Sequence, residues 1–220
     1  MASRKPPVLL RRPAPRLYLV TPVVANAAPL ADQLSAMLAA ADVAAVLLRL
    51  AASDERTQLN TIKTLAPVIQ GRGTALVLHG QPELVARAGA DGAHLTGLDD
   101  FTAALPLLKP DRIAGCGGLA TRHDAMLVAE TGADYVMFGE PDADGRRPSF
   151  DAIVERVEWW AEVFEVPCVG YAADLDEIAA LAMAGADFVA VGPFVFAHPR
   201  GPATALQTAA DRLSVSENAG

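Results

Sequence analysis

Three times along this chain the same junction recurs. Gly89-Ala90-Asp91, Gly132-Ala133-Asp134 and Gly185-Ala186-Asp187 each close an alanine-rich stretch and open an apolar run. Glycine suits the left-handed position that ends a helix, and a short apolar run after it reads as a strand. The three starts lie 43 and 53 residues apart, the length of one or more strand–helix units and not of a solenoid repeat. A chain built on this junction is held to alternating strands and helices, which makes a parallel sheet wrapped by helices.

From Leu17 onward eight such pairs can be placed. The strands are expected at Leu17–Thr21, Ala45–Leu50, Thr74–Leu78, Ala93–Leu95, Arg112–Gly115, Tyr135–Gly139, Cys168–Tyr171 and Phe188–Gly192. Helices are expected near Pro29–Ala41, Asp54–Gln70, Pro82–Ala88, Asp99–Leu107, Arg122–Thr131, Ser149–Phe164, Leu175–Ala184 and Thr204–Leu213. Each strand is apolar on both faces, as it must be when one face lines a packed interior and the other meets a helix. Alanine fills about a fifth of the chain, which favours helix and lets helices pack closely. The simplest closed solution is an α/β fold of the (β/α)8 TIM-barrel type, a single domain over residues 17–215, with an open doubly wound sheet as the alternative. Residues 1–16 carry four prolines and five basic residues and are expected to form a short disordered, flexible tail.

Charge narrows the partners. The whole chain carries −8, but the tail holds five basic residues and no acid, so thirteen basic against 26 acidic residues leave the body at −13. Such a body repels nucleic acid and anionic lipid, and a phosphorylated ligand must be held by a few placed groups. No apolar run reaches the length of a membrane span. Two cysteines, Cys116 and Cys168, without paired spacing, read as small buried residues in a reducing, cytoplasmic setting.

In a barrel of this kind chemistry sits at the C-terminal ends of the strands. Those ends carry Arg49, His79-Gly80-Gln81, Gly115-Cys116-Gly117-Gly118, Gly139-Glu140, Gly170-Tyr171 and Gly192-Pro193. Gly139, Gly170 and Gly192 are candidate phosphate contacts, because glycine lets a backbone N–H approach an anion closely. Arg49 ends a buried strand, where its charge needs an anionic ligand or an acidic partner. Asp99 and Asp100 stand at the expected start of a helix; capping accounts for one, and Asp99 is free to serve as an oxygen ligand for a divalent cation. His79 is the histidine to test as acid or base. His94 reads as a satisfied core residue, and His123 and His198 fall at a helix start and in a turn. Trp159 and Trp160 cannot share one buried stripe, so one of them is expected at an interface such as that of a homodimer.

Taken in order, Tyr18-Leu19-Val20-Thr21, Val46-Leu47-Leu48-Arg49, Ala90-Asp91-Gly92-Ala93-His94-Leu95-Thr96-Gly97-Leu98-Asp99, Gly132 to Gly139 and Gly185 to Val191 resemble the thiamine phosphate synthase and thiazole tautomerase family over about residues 17–213. The resemblance implies a transferase that joins hydroxymethylpyrimidine diphosphate to thiazole phosphate, releasing pyrophosphate with Mg2+ present. It implies that Arg49 holds the diphosphate and Asp99 the metal; Arg146 and Arg147, outside the matched motifs, are further candidates to supply positive charge to the phosphates. The chain departs from the family at several points. Leu47 and Ala51 replace a glutamine and a lysine, and His79-Gly80-Gln81 replaces Asn-Asp-Arg. A run from Glu140 to Arg147 replaces the Thr-x-Thr-Lys loop, and Gly170-Tyr171 replaces Gly-Gly. Two other readings stay open: a non-catalytic or regulatory phosphate-binding barrel, and a tautomerase-like isomerase with His79 or His123 as proton carrier.

Overall fold

The computed structural model describes residues 13–217, with side chains of 215–217 left out. It confirms the closed barrel. Eight parallel strands follow one another around the ring in sequence order: β1 (Arg16–Val24), β2 (Val43–Leu50), β3 (Ala75–His79), β4 (Gly92–Thr96), β5 (Ile113–Gly117), β6 (Tyr135–Phe138), β7 (Cys168–Tyr171) and β8 (Phe188–Val191). Between them run α1 (Ala27–Ala40), α2 (Glu55–Gln70), α3 (Pro82–Ala88), α4 (Leu98–Leu108), α5 (Arg122–Thr131), α6 (Phe150–Val163) and α7 (Leu175–Met183). After β8 come α8 (Pro193–Phe196) and α9 (Pro202–Glu217).

The expected elements are all present, with differences at their ends. The flexible tail drawn through residue 16 gives way at its last residue, because Arg16 opens β1 and clasps Asp42 through two 2.8 Å hydrogen bonds; residues 1–12 lie outside the described part. β1 runs on past Thr21 to Val24 through an irregularity after Val20. There the buried Thr21 accepts from the Arg49 amide at 3.1 Å, so a side chain fills the gap in the ladder. The four-residue α8 was not expected, since Pro-Phe-Val-Phe is too short to show a helical period. Helix α4 starts at Leu98 with Gly97 as its N-cap, so neither Asp99 nor Asp100 is its cap; both sit in its first turn, where a carboxylate complements the helix dipole.

Alternation along the strands sorts the core into two layers. Tyr18, Val20, Leu47, Val77, Tyr135, Met137, Val169 and Tyr171 fill the barrel, while the other strand faces meet the helices in one continuous outer core. Adjacent Trp159 and Trp160 also separate. Trp160 is fully buried, donates to the Val166 carbonyl at 2.7 Å and stacks on Phe164, whereas Trp159 lies under the Arg122 guanidinium at 4.7 Å. A cation and an aromatic neighbour therefore cover the second indole within the chain.

The recurring junction is a clamp between strands. Gly89, Gly132 and Gly185 hold positive φ at or beside the helix ends, and Ala90, Ala133 and Ala186 are buried beneath them. Each aspartate then bonds twice to the strand before its own. Asp91 accepts the Leu76 amide at 2.7 Å and donates its own N–H to the Leu76 carbonyl. Asp134 does the same with Ala114, and Asp187 with Cys168. The pairs β3–β4, β5–β6 and β7–β8 are thus pinned at their starts, and Asp42 with Arg16 makes a side-chain version between β1 and β2. No helix among the described residues is long and apolar enough to cross a membrane.

Candidate functional site

The C-terminal mouth of the barrel opens into a cavity of about 810 Å³, walled by Leu47, Arg49, His79, Glu140, Tyr171 and Pro193 among others. Arg49 ends β2 with its side chain half-buried. Among the described residues no carboxylate pairs with its guanidinium, whereas Arg146 and Arg147 each have one. Arg146 is exposed and held by Asp142 at 3.2 Å and Asp144 at 2.5 Å within its own loop. Arg147 is largely buried against Glu177 at 3.0 Å, and Glu177 also accepts the Ala173 amide. Both guanidiniums are therefore neutralised by partners, while the Arg49 charge faces the cavity.

His79 stands at the end of β3 on the cavity wall. Burial pushes its pKa down, the neighbouring His94 adds to this, and Glu140 works against them. The imidazole is therefore neutral at physiological pH. Its ring stacks on that of His94, with centroids 6.1 Å apart.

Beneath it lies a hydrogen-bonded row that begins in the barrel core. Tyr18 and Tyr135 share a 2.6 Å bond between hydroxyls, Tyr135 reaches His94 Nδ1 at 2.9 Å, and His94 Nε2 lies 3.1 Å from Glu140 Oε2. Burial alone would raise the Glu140 carboxyl, but His94, His79 and the Gly118 amide together hold it below the ordinary glutamate range. It is therefore a carboxylate, and since a carboxylate only accepts, His94 carries its proton on Nε2. Burial drives both phenols well above the ordinary tyrosine value, so they stay protonated. Two glycines of β5 make room for the row. A methyl group at Gly115 would run into the Tyr135 ring, and one at Gly117 would run into the Glu140 carboxylate.

The other candidates fall away from this row. Asp99 is exposed in the first turn of α4, outside the cavity wall. No three His, Cys, Asp or Glu side chains among the described residues converge on a metal position. Any magnesium ion here would therefore take most of its ligands from substrate phosphates and water. Of the glycines proposed for phosphate, Gly170 backs onto Leu181 of α7, Gly139 onto Ile153 of α6, and Gly192 faces the Tyr171 hydroxyl and Val20. Gly139 also lines a smaller pocket with Glu140, Arg146 and Arg147, and Gly192 precedes Pro193 of the cavity wall. His123 is exposed at the start of α5, away from the cavity wall. His94 is fully buried and bonded as expected of a core histidine.

Sequence reasoning passed over Glu140 as part of a replaced loop. The signal that could have found it is parity: His79, His94, Gly115 and Gly117 all fall on inward positions of β3, β4 and β5, which leaves a polar pocket for a group from β6.

Comparison with known proteins agrees with the architecture. The signature of the family described as thiamine monophosphate synthase matches residues 17–195. A thiamine-phosphate synthase of Rhodospirillum centenum is 42% identical over 195 residues, covering 87% of this chain and 94% of that one. Its counterpart in Hyphomonas neptunium is 35% identical, covering 89% and 92%. Among solved structures, a thiamine phosphate pyrophosphorylase from Pyrococcus furiosus superimposes with a TM-score of 0.76 at 18% identity, over 91% of this chain and 96% of that one, which supports the fold. With its eight-stranded barrel, its ordered motifs and near-full-length relatives at this identity, the chain belongs to the thiamine monophosphate synthase family.

Proposed function

We propose that this barrel, over residues 17–215, is a transferase that joins hydroxymethylpyrimidine diphosphate to thiazole phosphate, giving thiamine phosphate and pyrophosphate. The observation that carries this reading is the unpaired Arg49 guanidinium on the wall of a cavity of about 810 Å³. A ligand site of that size takes two small aromatic partners side by side. In the reaction the bond between the pyrimidine methylene and the diphosphate oxygen breaks, and its electron pair leaves with pyrophosphate. The thiazole nitrogen then donates its lone pair to the methylene carbon, so no proton need move.

Arg49 binds the diphosphate and offsets the charge that builds on the departing oxygen, which is worth more in a half-buried site than in water. Gly192, beside Tyr171 and just ahead of the wall residue Pro193, offers its backbone to the thiazole phosphate. Apolar Leu47, Val20 and Met137 line the walls and give the two rings a surface to stack on. Purified protein incubated with both phosphorylated precursors and magnesium is expected to release thiamine phosphate and pyrophosphate in equal amounts. Product no higher than a no-enzyme blank, beside an active synthase control, refutes the reading.

A further inference from the structure

The cavity is charged at both ends, and only one end is explained by a phosphorylated ligand. Arg49 closes β2 and Glu140 follows β6, four strands apart in a ring of eight, hence on opposite sides of the barrel. The Glu140 side chain is 15% exposed, and what it exposes faces the cavity. A carboxylate this buried is costly unless something offsets it. His94 and the Gly118 amide meet part of its acceptor capacity, and as a wall residue of the cavity it can offer the rest to a ligand.

We propose that Glu140 is the substrate-facing carboxylate that receives the pyrimidine half of the substrate, accepting from its ring-edge N–H groups, with His94, Tyr135 and Tyr18 as the row of positioning residues that aims it. The inference rests on the transferase reading for the identity of the ring. As the bond to diphosphate lengthens, electron density moves toward Arg49 and positive charge spreads over the pyrimidine. An anion fixed beside that ring, in a cavity with apolar Val20, Leu47 and Met137 in its wall, stabilises the separated charges more than the neutral ground state. Glu140 takes no proton and forms no bond in the step; it is the stationary counter-charge. The arrangement also accounts for Gly117, since any side chain there would displace the carboxylate.

The test uses full-length protein and two probes that need no turnover, the free aminopyrimidine alcohol and inorganic pyrophosphate, each titrated by calorimetry. Glu140→Gln keeps the shape and loses the charge. It is expected to weaken the aminopyrimidine alcohol by roughly tenfold or more, the scale of one charge-assisted hydrogen bond, and to leave pyrophosphate binding unchanged. Glu140→Asp, which keeps the charge, is expected to recover part of the loss and guards against a variant that fails for lack of folding. His94→Gln is expected to lower kcat with little change in KM for thiazole phosphate, a split that a merely structural loss would not give. Equal binding of the alcohol by wild type and Glu140→Gln overturns the proposal, as does a wild type that does not bind it. Glu140-dependent binding in a wild type that forms no thiamine phosphate supports the site while refuting the transferase reading.

Discussion

Removing Asp134 tests whether the Gly-Ala-Asp clamp stabilises the barrel through its backbone contact. In Asp134→Ala the Ala114 amide loses a 2.7 Å bond to a carboxylate, and Ala114 itself is fully buried, so water cannot replace the acceptor. Hydrogen bonds to charged groups contribute about 1.5–3 kcal/mol. The same carboxylate pairs with Lys109 at 2.6 Å, but the two side chains are 31% and 44% exposed, so this adds at most about 1 kcal/mol. The expected loss is about 2–3 kcal/mol, which for a chain of this size lowers Tm by roughly 4–12 °C. Asp42→Ala is the control, because its pair with Arg16 has side chains 45% and 72% exposed and touches no buried amide. That loss is expected below about 1 kcal/mol. Thermal melts and urea titrations of both variants, with unchanged circular dichroism spectra as the folding check, decide the matter. Equal losses in the two variants refute the reasoning, since the clamp would then be worth no more than a surface ion pair.

Gln81 is the one non-glycine residue at positive φ (53°) among the described residues, and its Oε1 is buried without a hydrogen-bond partner. Gln81→Gly is expected to gain about 1 kcal/mol by relieving the left-handed backbone and the orphaned oxygen, read as a higher urea midpoint; a lower midpoint contradicts it. Both cysteines are buried and unbridged, and burial pushes the Cys116 thiol up to about 12. A thiol reagent at mildly alkaline pH is expected to find no reactive cysteine in the native protein and two in denaturant; rapid native labelling sinks the claim. Because burial holds His79 below its ordinary 6.5, the unfolded chain takes up that proton first as pH falls. Stability is therefore full above 6.5 and declines below it, with a further loss as pH passes below the ordinary 4.5 of Glu140. His79→Asn is expected to flatten the first decline in a series of urea midpoints, and an unflattened series refutes it.

The alternation of elements, the barrel class and the mouth as the place for chemistry were legible in the sequence, because they follow from local periodicity and from the turn chemistry of repeated glycines. Arg49 was legible too, since a charge at the end of an apolar strand stands out without any knowledge of its neighbours. The aspartate of each junction was visible, but its role depended on the amide of the preceding strand, which is 15 residues away at Leu76 and 20 at Ala114. Arg146 and Arg147 looked available in sequence, and the folded chain turned them to Asp142, Asp144 and Glu177. Glu140 shows the division most clearly. Its partner His94 lies 46 residues back and Tyr18 lies 117 residues from Tyr135. Side-chain direction and burial along a strand are set by local alternation, but which inward groups meet is set by closure of the ring, and closure is a property of all eight strands at once.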